Sequence, residues 1–293
     1  MRSRWLGALA LVLGLAAMPS LAQKLTDAEV EKIRADATAA AKNGPTKIAL
    51  AGQASLDLPA NRIFVPQPHA GLLLKAMGNP GTDPSLHGLI FPNSDAGWFM
   101  TVRFENAGYI KDDDAKDWNA EDMLKTYREG TEASNDERIK MGATPLEVVG
   151  WAEPPRYDAG SHRLVWAMSL RDKGAPADAR QSVNYNTYAL GREGYFKLNL
   201  VTALDSLGTF KPEAATMLAA LNYNDGKRYA DFNSSTDRVA EYGLGALVVG
   251  IAAKKLGLFA MIGVFFAKFI KIILLAVAGL GAAATKLFKR KSD

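Results

Sequence analysis

The C-terminal stretch, residues 243–291, constrains this chain most. It is almost entirely apolar, it carries lysines inside it, and it closes on Lys286, Lys289, Arg290 and Lys291. The apolar run 256–285 is longer than the roughly 20 residues that a spanning helix needs. As one centred span it would hold Lys268 and Lys271 near the middle of a bilayer, at about 3 kcal/mol each. A less costly arrangement lays residues 244–267 along the outer interface as an amphipathic helix and lets Lys268 and Lys271 snorkel there. Residues 272–287 then span, through Ile272, Leu274, Leu275, Val277 and Leu280. At 3.6 residues per turn, Lys254, Lys268, Lys271, Lys286 and Lys289 share one broad face. Gly279 and Ala283 offer a small-residue contact through which such an anchor would form a homo-oligomer. The terminal basic cluster points to the cytoplasm, so the rest of the chain faces the periplasm. The expectation is a single-pass protein of the bacterial inner membrane, with the lipid bilayer as its first partner.

The N-terminus agrees with export. Arg2 and Arg4 precede an apolar run from Trp5 to Ala17, followed by Pro19 and Ser20-Leu21-Ala22, the layout of a signal peptide cleaved after Ala22. The chain then divides into residues 1–22 as leader, 23–233 as an exported domain, and 234–293 as linking helix, anchor and basic tail. The overall charge of +4 averages unlike parts. Of 35 basic and 31 acidic residues, eight basic residues and one acid lie in 243–293 and two basic residues in the leader. The domain keeps 25 and 30, net −5. No basic patch interleaved with aromatics appears in it, which argues against a nucleic-acid partner. The absence of cysteine excludes thiol catalysis, thiolate metal sites and disulfide stapling.

Within the domain, Thr26 and Glu29 fit a capping box and predict a helix over 26–42. Period-two patterning over 47–65 predicts short antiparallel strands; a helix follows over 68–77, a strand at Leu89-Ile90-Phe91 and another over 97–105. Asn119 caps a helix over 119–140 whose inner face is Met123, Leu124, Tyr127 and Ile139. Strands over 146–151 and 163–170 flank a long turn at 154–161, and a hairpin closes on Gly191-Arg192-Glu193-Gly194. Pro212 opens a helix over 212–221, and Ser234-Ser235-Thr236 starts the last one. Blocks of hairpins and helices without strict alternation give the fold class: α+β, an antiparallel sheet built from hairpins with several packing helices, plus the C-terminal membrane helix.

Several strings carry a resemblance. Gly97-Trp98, Gly108-Tyr109-Ile110-Lys111-Asp112-Asp113-Asp114-Ala115, the run 146–155 with its Gly-Trp-Ala-Glu-Pro-Pro, Tyr157-Asp158, and Tyr229-Ala230-Asp231-Phe232 resemble the domain-of-unknown-function 2167 family of predicted membrane-anchored bacterial proteins. The resemblance implies an exported envelope protein with a C-terminal anchor. It brings no catalytic residues.

Two clusters are candidates for chemistry. Asp112, Asp113 and Asp114 are dense enough to attract a divalent cation. As an EF-hand loop they fail, because Lys116, Asp117 and Met123 stand where a ligand, the turn glycine and the bidentate acid belong. The alternative is a solvated turn beside the Asn119 helix. The hairpin around residues 150–166 gathers Glu153, Asp158 and His162, which suit acid–base work or a mixed-ligand metal if they converge. It also gathers Trp151, Pro154, Pro155, Arg156 and Tyr157, which suit a rigid presenting turn. No serine-hydrolase, Walker, dinucleotide or zinc-protease motif is present, and no cofactor is implied. The expected function is a non-catalytic module binding an envelope protein, peptide or lipid, through a strand edge or the Pro-Pro hairpin. The alternative is an envelope hydrolase or metal-dependent enzyme using Glu153, Asp158 and His162.

Overall fold

The computed structural model describes residues 25–77, 83–140 and 144–249. Its first helix, α1 (Asp27–Ala40), starts as the capping box requires. The Glu29 amide donates to Thr26 Oγ1 at 3.3 Å and the Thr26 amide donates to the Glu29 carboxylate at 2.7 Å. The helix stops short of Lys42 because Lys42–Asn43 pairs as a two-residue strand, β1, with β4 (Arg62–Pro66).

Period-two burial sets the strands. In β3 (Ala54–Leu58), Ala54, Leu56 and Leu58 are buried while Asp57 is exposed, and each such aliphatic burial stabilises the fold by roughly 1.5–3 kcal/mol. β3 sits between β2 (Thr46–Leu50) and β11 (Leu221–Tyr223) in a three-stranded sheet. The larger sheet adds β5 (Leu86–Pro92), β6 (Phe99–Glu105), β7 (Leu146–Asp158), β8 (Arg163–Asp172), β9 (Ser182–Leu190) and β10 (Tyr195–Ala203). Its eight strands run β1-β4-β5-β6-β10-β9-β8-β7, every pair antiparallel.

Both faces of this sheet are dressed. On one, Met100, Val102, Phe196, Leu198 and Val183 pack with Met217 and Leu218 of α4 (Leu207–Ala220) and with the small sheet. On the other, Val65, Leu89, Phe91 and Phe99 pack with Ala37 of α1 and with Leu73 and Leu74 of α2 (His69–Ala76). At the far edge, α3 (Ala120–Lys140) lies along β7. Asn119 caps it, its Oδ1 accepting from the amides of Glu121 and Asp122 at 2.9 and 3.1 Å.

The edge strand β7 is sealed by side chains. Asn135, buried in α3, accepts from the Leu146 amide at 2.9 Å and donates to the Leu146 carbonyl at 3.0 Å, standing where another strand would pair. Arg128 donates to the carbonyls of Val148 and Val149. Adding a partner strand over this half of β7 would require displacing α3.

Several expectations need correction. Pro154 and Pro155 do not form a turn: β7 runs through them to Asp158, and the turn is residues 159–162. An edge strand tolerates residues with no N–H to donate, and the register shifts between Trp151 and Glu153 and between Glu153 and Arg156 absorb them. Ile139 is 57% exposed, and the buried position on that part of α3 is the polar Asn135. α4 begins at Leu207, with Pro212 inside it, and β11 intervenes before the Gly226 turn. Ser234-Ser235-Thr236 forms a turn; the next helix, α5 (Gly245–Val249), starts later, after residues 238–244 have bonded along residues 109–111.

Among the described residues no helix is long and apolar enough to cross a membrane. The expected leader and the expected span, with Lys268, Lys271, Ile272, Leu274, Leu275, Val277 and Leu280, lie outside the described residues.

Candidate functional site

Strand alternation gives the tip of the β7–β8 hairpin two sides. Arg156 and Asp158 fall on one face and Tyr157 between them on the other. The register Arg156↔Val165↔Thr187 and Asp158↔Arg163 carries the first face across three strands.

On the Tyr157 side the hairpin is locked. The Tyr157 hydroxyl donates to Asp112 Oδ2 at 2.6 Å and lies 3.1 Å from His162 Nδ1, which is itself 3.7 Å from Asp112. His162 closes the turn with φ +52°, a left-handed conformation uncommon for a residue with a side chain. Its ring stacks on Tyr229 at 4.1 Å, Tyr229 stacks on Tyr109 at 4.4 Å, and Tyr109 stacks on Phe232 at 3.8 Å. Each aromatic pair adds about 0.5–1.5 kcal/mol beyond its buried area. The Tyr229 hydroxyl donates to the Ile110 carbonyl at 2.7 Å. Burial first, and the bond to Asp112 second, push the Tyr157 hydroxyl well above the usual tyrosine range. It therefore stays a proton donor and exchanges no proton near neutral pH.

On the other side the hairpin opens into a cleft of about 660 Å³ between β7, β8 and β9 and one face of α4. The helix residues lining it, Gly208, Lys211, Pro212, Ala215 and Leu218, follow helical spacing, and three of them are small or ring-closed. A side chain at Gly208 would meet nothing within 4 Å. The cleft exists because this face of α4 lacks the volume to fill it. The sheet wall supplies Arg156, Asp158, Arg163, Val165, Tyr185 and Thr187. Lys211 reaches Glu153 at 2.5 Å and lies 5.7 Å over the Tyr185 ring, and Arg156 meets Glu153 at 3.6 Å. Burial, then the negative charge of Glu153, raises the Tyr185 hydroxyl above its ordinary range.

The structure does not bring Glu153, Asp158 and His162 together. Glu153 serves Lys211 and Arg156; Asp158 accepts from the Gly160 amide at 3.0 Å and the Ser161 hydroxyl at 2.6 Å; His162 faces Tyr157 and Asp112. Asp158 is held below the usual carboxylate range by the Ser161 hydroxyl and the Gly160 amide. The acidic triplet also disperses. Asp112 takes Tyr157, Asp113 is exposed, and Asp114 accepts from the amides of Leu244 and Gly245 at 3.1 and 2.8 Å. Asp112 thus serves β7 and Asp114 the start of α5. Among the described residues no group of three or more His, Asp or Glu side chains is placed to hold a metal ion.

Of the expected presenting residues, Trp151 is turned inward, its ring N–H donating to the Ala120 carbonyl at 2.9 Å. Pro154 and Arg156 are exposed, Pro155 and Tyr157 half-buried. Sequence reasoning missed Arg163, Tyr185 and Lys211. Their signal was present in the small-residue face of α4 with one lysine in it, and in an arginine sharing a strand face with valine.

What fold and site define is an α+β domain with a large antiparallel sheet, several helices and a cleft at one hairpin tip. The chain belongs to the family described as protein of unknown function DUF2167, whose model matches residues 42–278. The strings 108–115, 157–158 and 229–232, which carried the resemblance, meet in the locked side of the hairpin. A search of curated proteins returns no match. Among solved structures, the chain is similar to the solution structure of cyanobacterial PsbP (CyanoP) from Synechocystis sp. PCC 6803. The identity is 13% and the TM-score 0.36, covering 72% of this chain and 99% of that one.

Proposed function

We propose that this protein is a non-catalytic binding module of the bacterial cell envelope that takes its ligand in the cleft between α4 and the β7–β8 hairpin. The observation that carries the reading is the cleft itself, about 660 Å³ in volume and lined by both apolar and charged side chains from the sheet and from α4. The alternative of a hydrolase or metal-dependent enzyme using Glu153, Asp158 and His162 loses its support, because each of the three serves a different set of partners. Pairing by β-augmentation at the Leu146–Val149 half of β7 is disfavoured by the side chains of α3 that seal it. Export and anchoring in the inner membrane, with the domain in the periplasm, belong to the same proposal. They rest on the leader-like residues 1–22 and the lysine-bearing apolar stretch. An epitope after Asp293 accessible only from outside intact cells would overturn that orientation.

The binding reading is tested by screening the full chain against a small-molecule set for thermal stabilisation, beside Ala215→Trp, which places an indole in the cleft. Ligands that raise the melting temperature of the wild type and leave the variant unmoved are expected. Equal stabilisation of both, or of neither, counts against the cleft.

A further inference from the structure

We infer that the cleft accepts an amphiphilic anion: a phosphate or carboxylate head on an apolar body. This deepens the proposed binding function and rests on it. Three cations reach the cleft, Arg156, Arg163 and Lys211, against one carboxylate in its wall, Asp158. The two nearby carboxylates are both engaged. Asp158 is folded into the turn by Gly160 and Ser161, and Glu153 lies between Lys211 and Arg156. Arg163 forms no ion pair among the described residues, and its charge acts on its cross-strand neighbour Asp158. It is the cation that an incoming head group meets without displacing a carboxylate. Guanidinium suits this role, since its planar fork binds phosphate and carboxylate with two parallel hydrogen bonds.

The rest of the cleft suits something other than an ion. Val165, the Tyr185 ring and Leu218 line it beside Arg163 and Lys211, and its volume of about 660 Å³ far exceeds what a phosphate fills. It lies within the range of about 300–1,000 Å³ typical of small-molecule sites. The lining thus offers cations for a head group and apolar side chains for an attached alkyl or aryl body within one cleft.

Octyl phosphate below its micelle concentration is the probe, titrated into the full chain by calorimetry. Inorganic phosphate and octyltrimethylammonium serve as comparison arms, and Ala215→Trp serves as the blank for uptake elsewhere. Octyl phosphate is expected to saturate one site, with inorganic phosphate and the cationic amphiphile each at least about tenfold weaker. Arg163→Gln should weaken octyl phosphate about tenfold and Arg163→Lys less, with circular dichroism confirming that each variant is folded. Equal affinity for the anionic and cationic amphiphiles, or an unchanged affinity in Arg163→Gln, overturns the inference. If octyl phosphate shows nothing above the blank while other library compounds still distinguish wild type from Ala215→Trp, the ligand class is wrong and the binding function stands. If no compound distinguishes them, both fall. Should Ala215→Trp fail to fold, the Arg163 variants decide alone.

Discussion

The two sides of the β7–β8 tip are made from adjacent residues and have opposite characters. Tyr157 and His162 are enclosed by partners from segments far away in the chain, at Asp112 and Tyr229. Arg156 and Arg163, one residue further along each strand, look into a cleft that α4 leaves unfilled. Rigidity on one side is what gives the other a fixed shape. A hairpin tip held only by its own turn would fray, and a wall that frays cannot hold charges in register.

The comparison can be broken most severely at the stack. Tyr229→Ala removes a buried ring that contacts both Tyr109 and His162 and should destabilise the domain by about 3–4 kcal/mol in denaturant unfolding. At the root of the hairpin, Asn135→Leu leaves the Leu146 amide and carbonyl without partners beneath α3. A loss of about 2–3 kcal/mol is expected from the same measurement. Tyr157→Phe takes away the one hydroxyl that bonds Asp112 and should reduce stability by about 1 kcal/mol in the same measurement. On the open side, Arg163→Gln should change stability by less than about 0.5 kcal/mol.

Acid should act on the Arg192–Asp237 pair and on the hairpin turn. Asp237, paired with Arg192 at 2.7 Å, and Asp158, bonded within the turn, both sit below the usual carboxylate range when folded. The unfolded chain therefore binds more protons than the folded one at low pH. The stability these groups contribute is present above about pH 4 and is lost as pH falls through the folded values. Hydrogen exchange should show the Ala240 and Tyr109 amides losing protection at pH 3 before the amides of β9 and β10 do. Uniform loss across the domain would contradict it.

How much of this was readable in the sequence follows from the range of each interaction. Thr26 with Glu29, Asn119 with Glu121 and Asp122, and the Gly191–Gly194 turn are settled by neighbours two or three residues apart, and they were legible. Pro154 and Pro155 misled because proline speaks against a central strand but not against an edge, and edge position is a property of the whole sheet. Ser234 misled because its capping chemistry was read locally. Its segment instead bonds along residues 109–111 and salts Asp237 to Arg192. Whether Glu153, Asp158 and His162 converge depends on a register that Pro154 and Pro155 leave open in the sequence and that the shifts along β7 set. Asp112 meeting Tyr157 spans 45 residues, and no local pattern encodes that.

The segment after Phe232 also has a mechanical meaning. A pull transmitted from residues beyond Val249 first meets Asp114, which holds the amides of Gly245 and Leu244, then the Tyr109 backbone, which pairs with Ala240 and Arg238 at 2.8 Å each. Next it meets the Arg192 clamp on Asp237, then Phe232, whose ring stacks on Tyr109, and Tyr229, whose ring carries His162. The load path thus ends at the same hairpin tip whose far side walls the cleft. Tension along residues 238–245 and the shape of the cleft wall are therefore borne by one element, and peeling that segment would remove the support behind the strands that carry Arg156 and Arg163.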